Sequence, residues 1–241
     1  MLSVDRLNVY IQASHILRDV SLAVGPREVV CLVGRNGAGK TTTLRSILGY
    51  LAPQSGTIRF LGRDIAGRRP FEIAQQGLGF APEDSAIFAD LTVAENVEIS
   101  TWTRKTSRTA EERLALAYAV FPALTRYRAR KGTQLSGGER KMLSIARALA
   151  LDPTMLLLDE PFEGLSPAII PEIGQSILEI TTMGHAILIA ESNIHHVPEY
   201  TTRLYVIERG EIVFSGPPAE VWKDEAVLRI IGGTPSWQSF R

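Results

Sequence analysis

The stretch Gly34-Arg35-Asn36-Gly37-Ala38-Gly39-Lys40-Thr41-Thr42 constrains this 241-residue chain more than any other. It follows an apolar run, Val29-Val30-Cys31-Leu32-Val33, and precedes a helical pattern at Leu44, Ile47 and Leu48. GxxxxGK[ST] thus stands in the strand-loop-helix context that gives it meaning. The glycines let the backbone turn tightly and aim successive N–H groups inward, where they and the positive end of the next helix hold polyphosphate oxygens. Lys40 adds a point charge at the outer phosphates. The Thr41 hydroxyl is a hard oxygen ligand suited to a magnesium ion that bridges to those phosphates. The plain alternative, a glycine-rich turn with an incidental lysine, leaves the complete match unexplained, so the loop predicts nucleotide binding.

A chain of this length can form one large domain, or a core domain carrying a smaller subdomain. Lys plus Arg equals Asp plus Glu at 26 each, so no net basic field marks nucleic acid as a partner. No apolar run approaches the roughly 18 residues of a membrane-spanning helix, and Met1-Leu2-Ser3-Val4-Asp5-Arg6 lacks the apolar segment of a signal peptide. The chain is expected in the cytoplasm unless a partner holds it at a membrane. Cys31 is the single cysteine, which excludes an internal disulfide, and its apolar flanks predict a buried thiol.

Leu2 to Tyr10 and Ile16 to Val24 read as strands flanking the nucleotide site. Tyr10 has the ring to stack on an adenine, although an aromatic in a strand also serves simply as packing. Thr57-Ile58-Arg59-Phe60-Leu61 predicts a strand, and Leu78-Gly79-Phe80-Ala81 another that Pro82-Glu83-Asp84 halts. Thr92 with Glu95 and Thr109 with Glu112 have the S/T-x-x-E form of a helix start. The interval 84–133 is therefore expected to be mostly helical, with Arg104-Lys105-Thr106-Ser107-Arg108 a solvated connection. Leu135-Ser136-Gly137-Gly138-Glu139 opens a helix with Met142, Ile145, Ala146 and Leu149 on its apolar side. Its open entrance can meet an anion, but on these residues alone an ordinary serine cap is the simpler reading.

Met155-Leu156-Leu157-Leu158-Asp159-Glu160 predicts a buried strand ending in two acids. Carboxylates there are costly without a cation or donor. A metal-bound nucleotide uses both: Asp159 holds magnesium through its coordinated water, and Glu160 polarises the water that attacks the terminal phosphate. A solvated loop is the alternative. Ser166-Pro167 is expected to start the next helix. Ala186-Ile187-Leu188-Ile189-Ala190 reads as a further buried strand, Leu204 to Phe214 as a hairpin through Arg209-Gly210, and Gly232-Gly233-Thr234-Pro235-Ser236 as a loose end. His195-His196 cannot share one helix face and no cysteine lies nearby, so they are read as part of a solvated helix and not as a zinc site.

In order and spacing, the phosphate loop, Leu135-Ser136-Gly137-Gly138-Glu139, the strand ending Asp159-Glu160 and Glu163-Gly164-Leu165-Ser166 resemble the ATP-binding subunit of an ABC transporter over most of the chain. More narrowly, Ala81-Pro82-Glu83-Asp84, the run from Ile87 to Asn96 and Asp159 to Leu165 are similar to the branched-chain amino acid importer branch. The resemblance implies an α/β fold: a P-loop nucleoside triphosphatase core with an N-terminal antiparallel β subdomain and an inserted helical subdomain. In one domain, the core would occupy 1–83 and 134–222, the helical subdomain about 84–133 and a tail 223–241.

The same resemblance implies an ATP hydrolase with ATP and Mg2+ at two composite sites in a head-to-tail dimer. Ser136, Gly137, Gly138 and Glu139 of one subunit would face the phosphate loop of the other, which replaces the plain-cap reading. The partners would be transmembrane permeases, a second ATPase subunit, alike or different, and indirectly a periplasmic substrate-binding protein. The location would be peripheral, at the cytoplasmic face of the inner membrane. Three positions depart from the general pattern. Glu83 stands where many relatives carry glutamine and would still sense the magnesium. Ile11 aligns with the aromatic beneath adenine, with Tyr10 one place early and on the other strand face. Ser192 aligns with the switch histidine, whose reach and charge a hydroxyl cannot reproduce.

Overall fold

The computed structural model describes residues 1–232, which fall into two units, Met1–Gly67 with the chain from Ile189 onward, and Arg68–Leu188. The first unit begins with an antiparallel hairpin of β1 (Leu2–Ile11) and β2 (Ser14–Val24). Leu2, Val4, Leu7 and Val9 are buried against Leu17, Val20, Leu22 and Val24. Bulges break the period-two alternation where Arg6 and Asp19 take positive φ. β3 (Val29–Val33), buried at every position, leads into the phosphate loop and α1 (Lys40–Ile47). β4 (Ser55–Phe60) and β5 (Arg63–Asp64) complete a sheet in the order β2-β1-β4-β5.

The second unit comprises α2 (Pro70–Gln75), β6 (Leu78–Ala81), α3 (Val93–Glu98), α4 (Ala110–Val120), α5 (Pro122–Thr125), α6 (Gly137–Ala150), β7 (Met155–Asp159) and α7 (Ile170–Thr182). Both threonine starts are reciprocal caps, with the Thr92 and Thr109 amides donating to Glu95 and Glu112 at 2.7 Å. Each such cap contributes about 1 kcal/mol. α7 begins at Ile170 and not at Ser166: the Ser166 carbonyl accepts from the Ile169 amide (2.9 Å), closing a turn ahead of the helix. Pro171, lacking an N–H to satisfy, takes the first turn in place of Pro167.

β8 (Ala186–Glu191), wholly buried, runs from the second unit into the first. There β9 (Arg203–Glu208) and β10 (Glu211–Gly216) form the expected hairpin, followed by α8 (Pro218–Val221) and α9 (Glu225–Ile231). Strand order is β10-β9-β3-β8 in the first unit and β8-β7-β6 in the second. β3 runs parallel to β9, and β6 to β7. Parallel strands covered on both faces require the unbroken apolar runs seen in β3, β7 and β8, and each buried aliphatic chain there stabilises by about 1.5–3 kcal/mol. Burial also sets Cys31, whose thiol is pushed up to about 12 despite the Thr201 hydroxyl beside it.

Ile194–His196 is a 3-10 turn, which corrects the solvated-helix expectation. His196 Nδ1 lies 3.5 Å from the fully buried Glu191 carboxylate, and His195 packs beside Trp222 with ring centres 5.8 Å apart. The loose end expected at Gly232-Gly233-Thr234-Pro235-Ser236 lies, from Gly233 on, outside the described residues.

In the second unit His185 is buried, with Nδ1 2.7 Å from the Pro153 carbonyl and Nε2 lacking a hydrogen-bond partner among the described residues. Since that carbonyl only accepts, Nδ1 carries the proton. Burial lowers the His185 pKa below the ordinary 6.5, with Arg108 acting in the same sense against Pro153 and Asp152. The unfolded chain therefore binds this proton more readily. The His185 contribution is complete above pH 6.5 and is lost as pH falls below it. Melting temperature should drop between pH 7 and 5.5, and the slope should be shallower in His185→Gln; an unchanged slope would contradict the assignment.

Candidate nucleotide site

Parallel strands present their carboxyl ends along one edge, where loops carry chemistry. In the first unit Val33 pairs with Val206, and the Gly34 amide donates to the Glu191 carbonyl (3.1 Å). Gly34, Ser192 and Ile207 therefore leave neighbouring strand ends. A Cβ on Gly34 would lie 2.3 Å from the Ile207 carbonyl oxygen, so the loop enters across a gap that no other residue fits. Gly39, at φ 117°, starts α1 without a side-chain cap, which leaves the helix donors to an anion.

Lys40 is buried, and its ammonium donates to the carbonyls of Gly34 (2.8 Å) and Arg35 (3.3 Å). The charge thus lies within the curl of its own loop. Arg35, Asn36 and Gly37 are exposed at the crest, while Ala38 is buried and its carbonyl accepts from the Gly210 amide (2.8 Å). The Gly210 carbonyl accepts in turn from Arg18 (2.8 Å). Ile207 and Gly210, the floor and anchor of the loop, carry no local sequence signal because their part depends on a distant strand pairing. At the hairpin end Tyr10 and Ile11 are 41% and 42% exposed. The Tyr10 ring stacks on His15, with centres 4.2 Å apart and planes 6° from parallel, whereas Ile11 pairs with Ser14.

In the second unit Ala81 pairs with Leu158, so Pro82-Glu83 and Asp159-Glu160 leave adjacent strand ends. Asp159 and Glu160 are buried. Glu160 turns out of β7 at φ 48°, a left-handed conformation that costs on the order of 1–3 kcal/mol and gathers at working sites. Hydroxyl and carboxylate oxygens, as in Thr41, Asp159 and Glu83, are the donors that magnesium takes.

Ser136 caps α6 reciprocally with Glu139: the Ser136 amide donates to the Glu139 carboxylate (2.7 Å), and the Glu139 amide to Ser136 Oγ (3.3 Å). Burial works against this carboxylate. Hydrogen bonds from the Ser136 amide and hydroxyl and from Tyr127, with the Arg130 charge, outweigh it and hold Glu139 below the ordinary carboxylate range. A Cβ at Gly138 would touch Ile169 (3.1 Å), but one at Gly137 would meet nothing within 4 Å among the described residues.

A family model described as "ABC transporter" matches residues 17–163. The chain belongs to the ABC transporter family. This ABC cassette is similar to the lipopolysaccharide export system ATP-binding protein LptB of Haemophilus influenzae, at 35% identity over 97% of each chain. It is also similar to the high-affinity branched-chain amino acid transport ATP-binding protein BraG of Pseudomonas aeruginosa, at 38% identity over 88% of this chain and 91% of BraG. Among solved structures, the ADP conformation of MJ1267, an ATP-binding cassette of an ABC transporter, matches with a TM-score of 0.82 at 28% identity, covering 97% of this chain and 99% of that one.

The fold is that of the ABC ATPases, and the protein is an ABC-type ATP hydrolase. Of these relatives BraG carries a branched-chain amino acid transport name and LptB an export name; what the two have in common, and what holds for this chain, is the ATP-binding subunit. Replacing Gly34 by Ala drives a methyl into the Ile207 carbonyl. It should destabilise the cassette by about 1–3 kcal/mol in chemical denaturation and abolish binding of a fluorescent ATP analogue; wild-type binding would overturn the geometry.

Proposed function

We propose that this cassette is the motor of an importer, hydrolysing ATP to move branched-chain amino acids or related amides through separate permease subunits. Lys40 and amides of the loop from Gly34 to Thr42, other than those of Gly34 and Ala38 that donate to Glu191 and Arg35, hold the phosphates, and Tyr10 or Ile11 lies beneath the adenine. Thr41, Asp159 and Glu83 hold or sense Mg2+, which when bound neutralises charge developing on the phosphate oxygens. Glu160 polarises the attacking water. Ser192 contributes little, since a short hydroxyl lacks the reach of imidazole.

The observation that carries the composite-site reading is Gly137. Its φ is not left-handed and nothing in the described chain crowds it, so neither backbone conformation nor packing requires a glycine at this first helical position. Glycine there is explained by a group that arrives from outside, the terminal phosphate of a second subunit's nucleotide. Gly137→Ala should hold or raise the melting temperature yet lower ATPase activity at least about tenfold. Glu160→Gln should keep ATP binding, lose on the order of 100-fold or more in kcat and accumulate a nucleotide-bound dimer in gel filtration, while Ser192→Ala loses far less. Equal losses for Glu160→Gln and Ser192→Ala would overturn that ranking.

No helix among the described residues is long and apolar enough to cross a membrane, and attachment at the cytoplasmic face is proposed through the permeases. The importer reading is supported by BraG and by Glu83 with its flanking residues. Export is the second reading, favoured by LptB. Purified cassette-permease complex in liposomes separates them. Import predicts ATPase stimulation by a periplasmic binding protein loaded with a branched-chain amino acid or amide; stimulation by lipopolysaccharide alone would establish export.

A further inference from the structure

We infer that Lys141 is a positioning residue that ties the entrance of α6 to Glu83, so that the helix meeting the nucleotide and the residue sensing its magnesium move together. Lys141 lies one turn inside α6 and is 4% exposed, and its ammonium donates to the Glu83 carbonyl at 2.6 Å. Six residues on along the same helix, Arg147 donates to the Ala86 carbonyl (2.7 Å) and lies over the Phe88 ring, 4.9 Å from its centre. The turn so gripped is not at ease: Ser85 and Ala86 have φ of 63° and 41°, left-handed values unfavourable for residues with a Cβ. Asn96, fully buried, closes its far side by accepting from the Phe88 amide and donating to the Phe88 carbonyl, both at 2.9 Å.

Packing alone does not select a lysine at this place. A buried ammonium is costly unless its donors are matched, and a methionine of similar length fills such a volume without a charge. What lysine adds is direction, because its donor fixes where the Glu83 backbone stands. Arg140, its neighbour, instead turns back to the Leu135 carbonyl (2.7 Å) and holds the helix entrance. Successive basic residues thus serve the two ends of one connection, the entrance at Ser136-Gly137-Gly138 and the turn beginning at Glu83. A shift of the entrance on meeting a phosphate is carried to Glu83 by this part-buried bond.

This inference rests on the proposed roles of Glu83 and of the α6 entrance, and a double-mutant cycle separates the claims. ATPase rate of the full chain is measured against magnesium concentration at saturating ATP, with melting temperature in parallel. Lys141→Met should raise the half-saturating magnesium concentration about fivefold or more, and Lys141→Arg, which keeps a donor, should restore it to within about twofold. With Glu83→Ala already present, Lys141→Met should add less than about twofold. Full multiplication of the two effects, or a change in melting temperature with magnesium dependence intact, would overturn the positioning role and leave that of Glu83 standing. Unaltered magnesium dependence in Glu83→Ala would instead overturn the Glu83 reading, and this inference with it. Should Lys141→Met fail to fold, Lys141→Gln provides the same comparison.

Discussion

The close approach of Gly34 to the Ile207 carbonyl is the constraint on which the nucleotide-binding half depends. It lets the chain leave β3 beside β9 and curl at once, so that α1 starts at Gly39 with its amide donors directed to a ligand and not to a side-chain cap. The curl is anchored through Gly210, and Lys40 already rests on two of its carbonyls. A phosphate entering such a loop meets donors whose positions are set beforehand, which is how preorganised dipoles stabilise developing charge without reorganising.

The other unit handles charge in a different way. It buries Asp159 and Glu160 at the end of β7, with Glu160 held in a left-handed turn, and buries the Lys141 ammonium against the Glu83 backbone. Buried charges are poor sources of stability but good sources of geometry when their partners are fixed. The entrance of α6 follows the same logic: Ser136 and Glu139 satisfy the backbone reciprocally, while Gly137 stays uncovered. Elements that cost the isolated chain stability are therefore those proposed above to meet ATP and its metal.

Much of this was legible in the sequence because the signals are local. The strand-loop-helix context of Lys40, the threonine caps at Thr92 and Thr109 and the apolar runs of β3, β7 and β8 are each contained within a few residues. The start of α7 is not legible in the sequence because two prolines, Pro167 and Pro171, both satisfy the rule for a helix start, and only the turn closed by Ser166 chooses between them. β5 and α2, of two and six residues, are too short to show periodicity. Ile207, Gly210 and Lys141 were missed for a common reason: each acts on backbone far away in sequence. A lysine on the otherwise buried face of α6 was the one visible sign. The sequence pattern places His196 in a solvated helix, yet it faces the Glu191 carboxylate across a short 3-10 turn that no helical pattern announces.

The loop from Gly34 to Thr42 is proposed above to grip one magnesium-bound triphosphate. Calorimetric titration of the purified full chain with ATP in magnesium buffer tests it most directly. Saturable binding, abolished in Lys40→Ala with the melting temperature of the nucleotide-free protein preserved, is the predicted result. Undiminished affinity in Lys40→Ala, or no saturable binding by the wild-type chain with or without its permeases, would contradict it.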